Sequence, residues 1–427
     1  PCWWIHSTTT AYAAIKYLNA VVMSLAAVPT YLLARMYVSR RSATVVAFLS
    51  VLIPGMSYAA TLIPEVLAYP WYAVCSWVVV RALVSRRRRD IAFAAGACVV
   101  AGLIRWPQFA TVPASALIAM GALWFVGPRG AALRSGWRRR DYIGASILFY
   151  GALLLFNRIV LQHEQIWQVS TQYWKGRMLD LGLKAGLALT IGMGILPIVA
   201  GLTSLRGDPA YRAFVAYFSA SILCLSLYTS VKAAFLSTVF ATLTEERNMI
   251  YLSPLMLIGT AMVFEARRID WRVVAAASGF VIWLIYAKPF NLLFPYFEAP
   301  GFAILAVITR HLGWTREELR IGLVVTLLVG IAIIRLRRHA AVAVATIVLG
   351  AAWMLTSEIG TTVGTTHFAN LFRDNLPRKL DWIDARVGGG PVTYLGQAII
   401  DPNGLLLTEF WNRSITRVAS LDGSAPG

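Results

Sequence analysis

The sequence predicts an all-α polytopic membrane protein with about 12 transmembrane helices, followed by the start of an extracytoplasmic α/β domain. Three observations carry this. Of 427 residues, 58% are hydrophobic and 14% charged, and mean hydropathy is +0.64; soluble domains carry about 25% charged residues. Apolar runs near the roughly 20 residues that cross a bilayer recur from residue 11 to residue 360. The basic residues sit in short clusters between those runs, which is the positive-inside pattern. The net charge of +19 therefore reports membrane topology and argues against a nucleic-acid surface.

The runs justify themselves in order. Pro1–Thr10 is aromatic and polar, as suits an interface. The first span is expected at Tyr12–Val38, the second at Thr44–Leu62 and the third at Val66–Val84, which ends on four arginines at 86–89. A short fourth, Ile91–Ile104, and a fifth, Phe109–Val126, flank Arg105-Trp106-Pro107-Gln108. The sixth is Ile143–Leu161, the seventh Leu183–Leu205 and the eighth Phe214–Phe240. The ninth is Met249–Phe264 and the tenth Val273–Ala287. A Pro-rich connection follows, and its apolar piece Phe302–Ile308 is too short to span, so it reads as interfacial or re-entrant. Ile321–Ile334 and Ala341–Leu355 complete the twelve, and residues 1–360 form the membrane domain.

Placing the Arg40 end in the cytoplasm puts 21 of the 39 basic residues on that side. The turn at Glu65, Arg105, the 163–180 loop, Glu245–Arg247 and the chain from 361 to 427 then fall outside. In that tail, Asp381–Asp384 looks helical, Gly388-Gly389-Gly390-Pro391 is a break and Val392–Leu395 is β-rich. Thr408–Ser414 follows a Pro-Asn-Gly turn. The four cysteines, Cys2, Cys75, Cys98 and Cys224, contain no CxxC, so neither a disulfide framework nor a zinc site is signalled. No ligand set for a metal is legible, and a divalent-metal requirement is left open. No internal repeat supports an inverted-repeat transporter.

Glu65 is the focal residue. Prolines at 54, 64 and 70 break the helix around it, and broken helix at membrane depth is tolerated where it lines a cavity or is buried in protein. An ionisable group there is a functional candidate; the plain alternative is a solvated acid at a helix N-terminus. Arg105 has a plain alternative too, snorkelling to the interface, and Glu245-Glu246 could be a solvated helix start. Carboxylates can act as general bases for a hydroxyl, and guanidinium groups bind phosphate bidentately.

Four stretches form a pattern: Ala26-Ala-Val-Pro-Thr-Tyr-Leu-Leu-Ala-Arg35; Tyr58 to Pro70 around Glu65; Gly102-Leu-Ile-Arg105-Trp-Pro-Gln108; and Glu246-Arg247-Asn-Met-Ile-Tyr-Leu-Ser-Pro254. With the tail after the last span, this pattern resembles the GT-C superfamily, membrane glycosyltransferases that use polyprenyl-phosphate sugars. The resemblance covers most of the chain and rests on span-end signatures. It implies a multi-pass protein of the cell inner (plasma) membrane with its C-terminal domain extracytoplasmic. The implied donor is a polyprenyl-phosphate sugar, and the acceptor is a hydroxyl of a glycan, lipid or protein.

In that family an acidic motif in the first outer loop supplies the base. No such Asp precedes residue 11, so the chain is expected to be a fragment lacking its first span and loop. The resemblance then gives Glu65 a supporting catalytic place, and Arg105 and Arg247 contacts to the lipid-linked phosphate. Lys16, Tyr69, Trp174, Glu245 and Glu246 complete the expected substrate-binding set. The second reading is a transporter or flippase of lipid-linked sugars, for which Lys232, expected near the middle of the eighth span, is the best residue.

Overall fold

The computed structural model describes residues 8–128, 176–203, 209–235, 246–290, 299–373, 379–398 and 402–424, less positions 107, 267 and 268, together with Ile5 and isolated positions between 138 and 147. The membrane part is helical. In chain order it holds α1 (Thr8–Ser24), α2 (Ala27–Ala34), α3 (Arg40–Leu49), α4 (Glu65–Ser85), α5 (Arg88–Ile104), α6 (Thr111–Val126), α7 (Gly176–Gly192) and α8 (Leu196–Thr203). Then come α9 (Pro209–Phe235), α10 (Ser253–Glu265), α11 (Trp271–Ala287), α12 (Ala303–Leu312), α13 (Arg316–Leu336) and α14 (Ala340–Arg373). Short 3-10 turns at Pro54–Ala60, Gln108–Ala110, Glu246–Asn248, Ile250–Leu252 and Pro300–Phe302 interrupt the helices.

About twelve spans is too many. Among the described residues six helices are long and apolar enough to cross a membrane, or eight if two bent pairs each count as one. The reason is physical: apolar runs here also bury partial helices. The second expected span breaks into Arg40–Leu49 and Pro54–Ala60, bent by 53°. The seventh breaks by 103° between Gly192 and Leu196. The fourth carries Arg88, Arg89 and Asp90 in its first turn, and the ninth and tenth are only 16 and 17 residues long (Ile250–Glu265, Trp271–Ala287). The sixth lies almost wholly outside the described residues. The apolar piece after Pro300 is indeed a short helix, Pro300–Leu312.

Each break is held by a specific group. Pro54 opens the first one, where its missing N–H costs nothing, and the buried Tyr69 hydroxyl donates to the Ser50 carbonyl left over at the end of α3 (2.7 Å). At the second, Gly194 and Ile195 both have positive φ (76° and 64°); for a β-branched residue that conformation is costly. The Trp353 indole N–H donates to the Ile191 carbonyl (2.7 Å), which also accepts from Gly194 N–H. Elsewhere ordinary caps act: the Ser39 hydroxyl accepts from Ser42 N–H at the start of α3, and Thr315 with Glu318 forms a capping box on α13.

The helix ends sort into two groups. At one end the Tyr37 hydroxyl meets the Ala210 carbonyl (3.3 Å), Glu265 accepts from Ser39 N–H and the Ser42 hydroxyl, and the Arg337 guanidinium donates to the Val263 and Ala266 carbonyls. This is the arginine-rich end. At the other end Glu65 meets Arg105, Gln108 meets Asn248, and Ser357 and Thr361 of α14 donate to the Pro300 carbonyl. The two ends of the bundle thus collect different groups. Two adjoining apolar cores fill the bundle, one around α2–α6, α9 and α10, the other around α7, α8 and α10–α13. Where α8 crosses α10, Gly201 and Gly259 bring the backbones so close that a Cβ on Gly259 would sit 2.7 Å from the Gly201 Cα, the small-residue contact by which membrane helices associate.

The tail is a βαβ unit. Helix α15 (Trp382–Val387) ends on Gly388 at φ 65°; β1 (Val392–Gly396) and β2 (Ile415–Ser420) pair in parallel across helix α16 (Pro402–Trp411). The Pro-Asn-Gly sequence therefore opens a helix instead of making a turn, and the β-run after it begins at Ile415. Parallel neighbours require such a crossover. Buried Asn412 ties the unit together: its amide oxygen accepts from Ile383 and Asp384 N–H, and its amide nitrogen donates to the Leu380 and Thr408 carbonyls. The unit rests on α1 through Tyr12 against Phe410 and Trp411, so it stands at the Glu65 end.

Candidate functional site

The site grows from the first residue of α4. Pro64 ends the preceding turn, and Glu65 opens the helix where an acid is favoured by the macrodipole. It is not solvated: Glu65 is 0% exposed. Arg105, at the end of α5, reaches it with Nη1 2.5 Å from Oε1. The Arg247 Nε lies 3.9 Å from the same oxygen. The acid sits behind, with 1% of its side chain exposed, while Arg105 and Arg247 keep 12% and 22%. A buried charge must be paired, and two guanidinium groups from distant parts of the sequence share this task.

The Glu246–Leu252 turns supply the rest. Arg105 Nη1 also donates to the Tyr251 hydroxyl (2.8 Å) and Nη2 reaches the Asn248 amide oxygen at 3.5 Å. Lys232 Nζ, at the end of α9, reaches that amide oxygen at 3.4 Å. Gln108 Nε2 donates to the Asn248 carbonyl (3.2 Å). Tyr251 is fixed by its ring contacts with Tyr72 and Phe109, whose rings also touch each other. Three cationic side chains and one carboxylate thus converge at one end of the bundle, held by an amide and a phenol that cannot ionise readily. Such a group can hold a dianionic oxygen cluster with charge-assisted hydrogen bonds.

The expected residues divide. Glu65, Arg105 and Arg247 are brought together. Glu246 is beside them in sequence but turns away: it is buried, and its Oε2 accepts from Gly301 N–H at 2.7 Å. Burial pushes its carboxyl up to about 8, with the Gly301 N–H pulling the other way. It joins the 246–248 turn to the 300–302 turn. Tyr69 has its hydroxyl committed to Ser50, away from the cluster. Lys16 stacks over the Tyr12 ring, 4.3 Å from its centre, at the contact with the tail. Glu245 and Trp174 lie outside the described residues. Lys232, expected near the middle of the eighth span, stands at the level of the cluster. Asn248, Tyr251 and Gln108 were missed as site residues, although they lie inside the Arg105–Gln108 and Glu246–Pro254 stretches; neutral polar side chains carry no charge signal.

Among the described residues no group of three His, Cys, Asp or Glu side chains comes together. Cys75, Cys98 and Cys224 are free thiols. The fold and site together define a polytopic helical membrane protein with a buried ion-pair cluster at the end opposite its arginine-rich loops. No family model matches the chain, and no curated protein or solved structure matches it either.

Proposed function

We propose that the chain is a membrane glycosyltransferase that takes its sugar from a polyprenyl-phosphate donor. The observation that carries the reading is the convergence of Arg105 and Arg247 on a buried carboxylate, Glu65, with Lys232 beside them on the Asn248 amide oxygen. The guanidinium groups face the donor phosphate. Glu65 holds them in place and compensates their charge when the donor is absent. The acceptor hydroxyl attacks the anomeric carbon, the bond from that carbon to the phosphate oxygen breaks, and polyprenyl phosphate leaves with both electrons of that bond. The hydroxyl proton passes to a general base, the role that carboxylates fill for a hydroxyl. The tail, standing at the same end as the cluster, is given to the acceptor, and this end is assigned to the extracytoplasmic face of the plasma membrane.

Arg105→Lys tests the reading. Lysine keeps a cation for Glu65 but loses the planar fork that matches a phosphate. In membranes supplied with a panel of polyprenyl-phosphate sugars, the variant should raise the donor concentration needed for half-maximal transfer by roughly tenfold, the worth of one charge-assisted hydrogen bond. Acceptor dependence should stay as in the parent. No transfer by the parent with any such donor, or equal loss for donor and acceptor, would overturn it.

A further inference from the structure

A second feature lies away from the Glu65 cluster. Between α3, α8, α10, α13 and α14 there is a cavity of about 670 Å³. Its wall is almost wholly apolar, with Val46, Leu196, Phe264, Ile333 and Trp353 among its lining. Along α14 it runs from Ala343 to Thr356, about 20 Å at the helical rise. That is more than the roughly 15 Å of one leaflet's hydrocarbon, so its length suits an extended acyl chain. Val325, Val329 and Leu349 on its rim are about half exposed, so it opens sideways where a bilayer would lie.

The two ends of the cleft differ. The far end stops at the strained Gly194–Ile195 break, closed by Trp353. The near end is polar and cationic. Arg41 and Ser42 line it, and Arg337 and Arg338 follow directly on α13. Arg41 is exposed. Glu265, which the lining Ser42 reaches, is occupied by Ser39 N–H and the Ser42 hydroxyl, and Arg337 is spent on backbone carbonyls. What fits an apolar slot with an exposed guanidinium at its mouth is a chain carrying an anionic head.

We infer that this cleft is a binding site for one anionic glycerophospholipid of the leaflet on the arginine-rich side, its acyl chain in the slot and its phosphate on Arg41. The site is independent of the proposed transfer reaction and lies toward the other end of the bundle. Its occupant lies between α3 on one side and α13 and α14 on the other.

Native mass spectrometry of the full chain, released from nanodiscs of equal phosphatidylglycerol and phosphatidylethanolamine, tests it. One phosphatidylglycerol per chain should survive release, in clear excess over phosphatidylethanolamine. Arg41→Gln should cut that preference about fivefold, the worth of roughly 1 kcal/mol for one arginine at a lipid surface. Gly350→Leu is the second variant: Gly350 lines the cleft and a Cβ there meets nothing within 4 Å, so the leucine fills the slot without straining the helix. It should lower retention of both lipids. Equal retention of the two lipids by the parent, unchanged occupancy in Gly350→Leu, or recovery of a neutral or isoprenoid lipid in their place would each overturn the inference.

Discussion

At the scale of the residue, the weight falls on Glu65. A carboxylate with no exposed surface and an arginine 2.5 Å away is a buried pair, and removing one partner of such a pair costs about 3–5 kcal/mol because the other charge is stranded. Glu65→Gln should therefore lower the thermal midpoint in detergent. The double variant Glu65→Gln/Arg105→Gln should lose less than the sum of the single changes, and additive losses would show that the pair is not coupled in solution. Glu246 gives a pH-dependent counterpart. Its folded carboxyl titrates near 8 and its unfolded one near 4.5, so between those values the native state holds the extra proton and stability falls as pH rises. Glu246→Gln, an isostere of the protonated acid, should flatten the decline of the midpoint between pH 5 and 8. A slope equal to the parent's would place the proton elsewhere. The sequence pointed to Glu65, Arg105 and Arg247 because ionisable side chains near proline breaks stand out against apolar runs. It could not show that Glu246 faces Gly301, since adjacent residues on a 3-10 turn diverge and only tertiary packing fixes which one faces the cluster.

At the scale of the element, the breaks matter more than the spans. Gly301 sits where the 300–302 turn presses against α7, and a Cβ there would run into the Ala188 carbonyl oxygen. Gly301→Ala should destabilise the protein by roughly 1–3 kcal/mol or more, the usual cost of overpacking. Gly279→Ala in α11, where a Cβ meets nothing within 4 Å, should be neutral or gain up to about 1 kcal/mol from helix propensity. Equal midpoints for the two variants would contradict this packing. Hydropathy read the long helices α4, α6 and α13 well because their apolar windows are uninterrupted. It overcounted at α10 because a short helix buried in protein is as apolar as one facing lipid, and at α11 because composition hides that the helix has only 17 residues. It also read residues 183–205 as continuous, since Gly194 changes direction without changing hydropathy, whereas the break inside 44–62 was legible from Pro54.

At the scale of the whole molecule, the two ends are distinct in chemistry, and that was legible from arginine placement alone. Single cysteines placed at Leu62 and Leu395, both exposed, should react with an impermeant thiol reagent from the same side of a sealed vesicle, and one at Arg87 from the opposite side. Labelling of 62 and 87 from one side would refute the bundle topology. The tail's βαβ order was less legible, because its crossover helix begins with Pro-Asn-Gly, residues that equally serve a turn.

Helix α14 has 34 residues, about 51 Å of rise against roughly 30 Å of hydrocarbon. The helix exceeds the hydrocarbon by about 21 Å, an excess that tilt absorbs. The βαβ unit is held against α1 by Tyr12 on Phe410 and Trp411, and α14 is tied to the 300–302 turn by Ser357 and Thr361, so a change in the tilt of α14 is resisted at both contacts.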